Sequence, residues 1–447
     1  MKTQLFASAA ALALVAGAAQ ADGHLLFAPG DGGFNWESYE AFAAAHDLSG
    51  QTVTITGPWT GLDAELFDSM AAYFEAATGA AVEYSGSDSF EQDIVIATQA
   101  DTPPNIAVFP QPGLMTDLAA AGELAVMGDE TAAWLEENYA AGSSWVSLAS
   151  AAGPDGSEGL YGFFYKVDVK SLVWYSPEAF DEAGYDVPET MEDLLALSDL
   201  IVEDGGTPWC IGLGSGAATG WPATDWVEDI MLRTQSPDVY DGWVSNEIPF
   251  DDPRVVNAIE TFGTFVRNED YVSGGSAAAA TTDFRESPAG LFSFPPECYM
   301  HRQASFIPTF FPEGSDSDFF YFPSFAAEDL GNPVLGAGTM FSITEDSEAT
   351  RVFIEWLQTP IAHEVWMAQS GFLTPHTGVN ADVFTDPQVR QMNDILLGAT
   401  TFRFDASDLM PAEIGAGVFW SGMVDFTTGE DAGAVATMIQ ERWDSIQ

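Results

Sequence analysis

Apolar and polar positions alternate first at Thr52-Val-Thr-Ile-Thr56, the two-residue period of a strand. Gly57-Pro-Trp-Thr-Gly61 turns the chain. Leu62, Leu66, Met70, Tyr73, Phe74 and Ala77 then recur at helical spacing, and Gly79 supplies a C-cap. The same rhythm predicts a strand over Ala81–Tyr84, a helix over Phe90–Gln99, a strand over Ile106–Phe109 and a helix over Leu114–Ala121 stopped by Gly122. Strands alternating with helices imply an α/β unit around a largely parallel sheet. Ligands of such sheets bind at the carboxyl ends of strands. That end holds two loops here, Gly57–Gly61 and Pro110-Gln-Pro-Gly113.

Further on, Tyr161–Tyr175 is a long extended segment rich in β-branched and aromatic residues, followed by a helix start at Ser176-Pro177. Pro208–Leu213 reads as another strand. Asp225–Arg233 reads as a helix, with Asp225 as its cap and Glu228 completing a capping box. The last third is mainly helical, with apolar spacing over Glu348–Gln358, Ala362–Ser370, Val389–Leu397 and Gly433–Ile446.

Leu5–Ala19 is an apolar run behind Lys2, and Ala19-Gln20-Ala21 has the small-x-small form of a cleavage site. Residues 1–21 therefore read as an export leader that is too short to span a membrane. The chain of 447 residues is long enough for two domains. Its 68 acidic against 12 basic residues give a net charge of −56, which repels nucleic acid and disfavours an anionic ligand. Export to an oxidising compartment and a count of two cysteines imply that Cys210 and Cys298 pair. The five histidines are scattered, so neither metal nor cofactor is expected.

Several segments resemble, in order, the carbohydrate-binding proteins of ABC importers, of the maltose-binding-protein type. They are Asn105-Ile-Ala-Val-Phe-Pro-Gln-Pro-Gly113, Tyr161–Tyr175, Ala218-Thr-Gly-Trp-Pro-Ala-Thr-Asp-Trp226, Cys298-Tyr-Met-His-Arg-Gln-Ala-Ser-Phe306, and Met410-Pro411 followed by Phe419-Trp420. The likeness is strongest to the α-glucoside binders. It departs from them at Ala337 and Thr339-Met340, where a further glycine and an acid are expected. The resemblance implies a two-lobed α/β periplasmic-binding-protein fold that closes on a sugar about a hinge. Tyr161–Tyr175 and Val334–Phe341 would cross between lobes. Lobe 1 would comprise 22–163 with 339–372, and lobe 2 would comprise 164–338 with 373–447. The implied ligand is a neutral oligosaccharide, foremost an α-linked disaccharide such as sucrose, maltose or trehalose. The implied partner is an ABC permease in the inner membrane, served from the periplasm by a non-enzymatic monomer.

A sugar needs aromatic planes for its C–H faces and fixed polar groups for its hydroxyls. Candidate contacts are Trp59 and Thr60 in the first strand–helix loop, Ser87 and Asp88 after the second strand, and Gln111 between two prolines. Lys166, Asp168 and Lys170 alternate on one extended segment. The family likeness adds weight to Asp168 and makes Trp420 a stacking candidate. Trp221 in a loop, Phe294, Glu297 and Arg302 around Cys298, and Thr339 on the return crossing complete the set. Two other functions share these residue types. A secreted glycoside hydrolase needs two carboxyl groups at about 5–5.5 or 6.5–9.5 Å, and a cationic-osmolyte binder needs an aromatic cage.

Overall fold

The computed structural model describes residues 25–140, 142–369, 372–384 and 386–446. The expected leader, 1–21, lies outside them. Strand β1 (Thr52–Gly57) lies between β2 (Ala81–Gly86) and β3 (Ile106–Phe109), parallel to both. The short strands β4 (Ser150–Ala152) and β5 (Glu158–Leu160) pair with each other. The long extended segment is two strands, β6 (Phe163–Val169) and β7 (Leu172–Tyr175), broken at Lys170-Ser171. Strand β7 is the centre of a second sheet, between β8 (Met300–Arg302) and β9 (Asp318–Tyr321). Strand β10 (Pro333–Ile343) is buried along its whole length. Its middle runs antiparallel to β6, its end antiparallel to β3 and its start parallel to β11 (Thr401–Phe404).

Two large apolar cores follow from this topology. One gathers Val53, Ile55, Phe67, Phe74, Phe109, Phe164, Val167 and Phe341. The other gathers Val173, Trp209, Trp226, Phe262, Leu335, Phe419 and Trp443. On β6 the chain leaves the first core after Val167, and on β10 it enters that core at Ala337. The two strands bond to each other as they cross, with Val167 opposite Gly338 and Val169 opposite Gly336. This paired crossing is the mechanical link between the lobes.

Local reading placed most helices well. Leu62–Thr78 ends at Gly79 with φ +74°, and Pro112–Ala121 ends at Gly122 with φ +83°. Two expectations need correction. Pro208–Leu213 makes only isolated bridges through Trp209, so it is no strand. The helix expected at Asp225 begins at Trp221, because Gly220 supplies the turn at φ +115° and Pro222 fits the first helical turn. Asp225 is therefore inside the helix and buried, and it caps nothing. Cys210 and Cys298 do pair, with Cα atoms 5.5 Å apart.

Candidate ligand cleft

The lobes face each other across a cleft whose free space, out to its open mouth, is about 940 Å³. One wall consists of the loops that leave the carboxyl ends of β1, β2 and β3, where a parallel sheet brings successive loops together. Trp59 and Thr60 follow β1, Ser87 and Asp88 follow β2, and Gln111 follows β3; all five line the cleft. Gly86 makes the first two loops meet. A Cβ there would lie 1.8 Å from the Trp59 carbonyl oxygen, so no other residue fits. Trp59 is also wedged among Phe67, Tyr84, Phe341 and Trp366, at centroid distances of 5.1–6.1 Å. The ring is thus held rigidly where it borders the cleft.

The floor is the crossing pair of strands. Lys166 and Asp168 on β6 and Thr339 on β10 all line it. Lys166 Nζ lies 3.2 Å from Asp168 Oδ1, which also accepts from Ser305 Oγ at 3.1 Å. The opposite wall is aromatic. Trp221 packs edge-on against Phe284 at 4.9 Å, while Phe306, Phe310 and Trp420 extend the surface.

Four polar atoms of lining residues are buried and have no hydrogen-bond partner among the described residues: Gln111 Oε1, Thr339 Oγ1, Asp405 Oδ1 and Trp420 Nε1. Gln111 Nε2 donates to Glu91 Oε1 at 2.9 Å, which fixes the direction of the free carbonyl oxygen. Buried polar groups of this kind are costly unless something binds them.

The cations of the cleft are already committed. Besides the Lys166–Asp168 pair, Arg285 bonds Asp88 and Asp283, and Lys170 bonds Asp225 and Asp405. Burial pulls the Lys170 ammonium's pKa down, but Asp225, Asp405 and Asp408 more than offset this and leave it well above the ordinary lysine value. Burial pushes Asp225 up to about 7, with the Asp405 charge adding to the effect. Burial likewise raises Asp408, Asp63 and Glu91. Oxygens of Asp225, Glu228 and Asp405 lie within 4.8 Å of one another, the one such acidic group among the described residues with a spacing a cation could bridge. The Lys170 ammonium is bonded to two of the three and already supplies a counter-charge there.

Three singled-out residues are elsewhere. Phe294 is 90 % exposed on a surface loop, and Glu297 is exposed beside it; neither lines the cleft. Arg302 is buried outside the cleft lining, 2.8 Å from Asp229 and 3.6 Å from Asp225, and its guanidinium sits 5.8 Å from the Trp226 ring centroid. The sequence neighbourhood of Cys298 suggested a common site, but the alternation of β8 sends Arg302 inward. Asp63, Glu91, Phe284, Arg285, Phe306 and Phe310 line the cleft without having been singled out. For Asp63 a signal existed, since it stands in the first helical turn after the first loop. Phe284 and Arg285 carry no local mark that separates them from other phenylalanines and arginines.

Comparison with known proteins places this arrangement. Residues 60–364 match the model of the bacterial extracellular solute-binding protein family. The chain is 60 % identical to the alpha-glucosides-binding periplasmic protein AglE of Rhizobium meliloti, over the full length of both. It is 42 % identical to the osmoprotective compounds-binding protein GgtB of Synechocystis, over 89 % of this chain and 93 % of the relative. Among solved structures, the bacterial solute receptor AcbH, described as preferring β-D-galactopyranose, superposes with a TM-score of 0.75. It does so at 18 % identity, over 89 % of this chain and 99 % of that one.

Proposed function

Because the chain belongs to the bacterial extracellular solute-binding protein family, we propose that its cleft captures a neutral α-linked glucoside and delivers it to an ABC permease. Family membership makes it a binding protein, not an enzyme, so the hydrolase reading is set aside. The ligand in this reading is a disaccharide of the sucrose, maltose or trehalose class, taken up in the periplasm by a monomer.

The observation that carries the reading is the set of unpartnered polar atoms on the cleft wall: acceptors on Gln111 and Asp405, a hydroxyl on Thr339 and a donor on Trp420. Such a mixture suits hydroxyl groups, which both donate and accept. The commitment of Lys166, Lys170 and Arg285 to carboxylates leaves no unpaired cation for an anion among the described lining residues. Trp59, Trp221 and Trp420 supply planes for more than one ring. The printed name of the R. meliloti relative supports an α-glucoside.

The excess of carboxylates over cations in the cleft favours a second reading, a cationic osmolyte held against the aromatic wall. Titration calorimetry with maltose, sucrose, trehalose and glycine betaine separates the two. At 100 times its dissociation constant a ligand stabilises the closed form by about 2.7 kcal/mol, so a thermal shift should accompany the heat. Saturable binding of betaine with none of the three sugars would overturn the assignment.

A further inference from the structure

We propose that Asp88 and Arg285 form a latch across the cleft mouth that sets how long the ligand stays bound. This rests on the cleft being the binding site, and it deepens that reading by naming what holds the lobes shut. Asp88 stands on the loop after β2, in the lobe built on the first core; Arg285 stands 197 residues later, in the opposite lobe, and its Nη2 donates to Asp88 Oδ1 at 2.5 Å.

Both partners are prepared for the contact. Asp88 Oδ1 also accepts from Thr60 Oγ1 at 3.3 Å, so the first-lobe loops present it together. Arg285 is aimed from the other side. Its Nη1 lies 3.2 Å from Asp283 Oδ2, its backbone N–H donates to Asp283 Oδ1 at 2.9 Å, and its guanidinium sits 4.6 Å from the Phe284 ring centroid. An arginine bound by a neighbouring carboxylate and an aromatic face has lost most of its rotamer freedom before it meets Asp88. The backbone closes at the same place. Gly216, at φ +57° on the lobe that carries Arg285, approaches so closely that a Cβ would lie 3.2 Å from Asp88 Cβ.

Asp88, Thr60 and Arg285 all line the cleft, so a ligand leaving through this lip must part the pair. Entry occurs before the latch forms. The effect therefore falls on dissociation rather than on association. The Asp88 side chain is 42 % exposed and that of Arg285 21 %, which leaves the pair open to screening by salt.

The test is stopped-flow dissociation of maltose, sucrose or trehalose, followed by tryptophan fluorescence. Asp88→Asn and Arg285→Gln should each speed dissociation about two- to fivefold in 20–50 mM salt, the order expected of a partly exposed ion pair. The double variant should be no faster than the faster single one, and the differences should collapse at about 1 M salt, where the Debye length is near 3 Å. A merely structural role would lower the ligand-free melting temperature equally at low and at 1 M salt, whereas loss of the latch has no effect at about 1 M. Hydrogen exchange without sugar gives a readout independent of the ligand: Asp88→Asn should raise exchange over 281–293 at low salt. Unchanged dissociation, or additive effects in the double variant, overturns the latch. Failure of all three sugars to bind overturns the substrate reading alone; exchange then decides the latch, and unchanged exchange sinks it.

Discussion

Replacing Lys170 by Met tests the buried network beneath the cleft. The ammonium lies 2.8 Å from Asp225 Oδ1 and also bonds Asp405, and all three side chains are buried. Met keeps most of the volume and removes the charge. Breaking a buried pair by removing one partner costs about 3–5 kcal/mol, because the other charge is left uncompensated. Here that cost depends on pH. In the wild type, burial already raises Asp225 to about 7, above its ordinary value near 3.8. A carboxyl raised in the folded state contributes stability that is fully present below its unfolded value and is lost as pH rises through its folded value. Without Lys170, which holds Asp225 down, that folded value moves higher. Each additional proton the folded variant retains then costs about 1.4 kcal/mol per pH unit. Wild-type Asp225 already keeps its proton up to about pH 7, so the extra proton counts only above that, and between pH 7 and 8.5 it makes the deficit about 2 kcal/mol larger. The expectation is a loss of about 3–5 kcal/mol at pH 8.5 that is about 2 kcal/mol smaller at pH 7. Urea unfolding at fixed sodium chloride, followed by tryptophan fluorescence without ligand, measures it. A deficit under about 1 kcal/mol, or one equal at both pH values, would refute the claim that Lys170 neutralises these carboxylates.

Trp420→Phe keeps the ring but removes the unpartnered N–H, and it should weaken sugar binding about fivefold, the order of one hydrogen bond; Trp420→Ala should weaken it more than tenfold, both read by calorimetry. Gln111→Leu should cost a similar factor in the same calorimetry, because it removes the free acceptor on the cleft wall. Replacing Cys210 and Cys298 together by Ala should destabilise the fold by about 4–5 kcal/mol, given the 88-residue separation that the disulfide closes; intact transitions in denaturant would contradict this. Adding salt should raise the melting temperature through screening of the −56 charge, and a flat response to half-molar salt would show that the carboxylates are compensated locally.

The strands and helices of the first lobe were readable in the chain because their signals are local. Val53 and Ile55 against threonines mark a strand; Leu66, Met70 and Phe74 mark a helix face; Gly79 and Gly122 mark its ends. One wall of the cleft follows from the same information. In a parallel sheet the loops after successive strands must meet at one end, so Trp59, Asp88 and Gln111 are neighbours by topology alone. The opposite wall obeys no such rule. Whether Arg302 faces the ligand or the underlying carboxylates depends on the pleat of β8 and on which acids the Trp221–Thr234 helix presents, and these are contacts 73 or more residues away. Asp225 looked like a cap because carboxylates suit helix starts, but Gly220 and Pro222 began the helix a turn earlier and turned that carboxylate towards Lys170. With 68 acidic residues available, charge alone could not say which of them each cation would choose. Only the closing of one lobe on the other brings Arg285 to Asp88. A sequence records the period of its own local structure, but ion-pair partners are chosen by distance in space, and that distance exists only once both cores have formed.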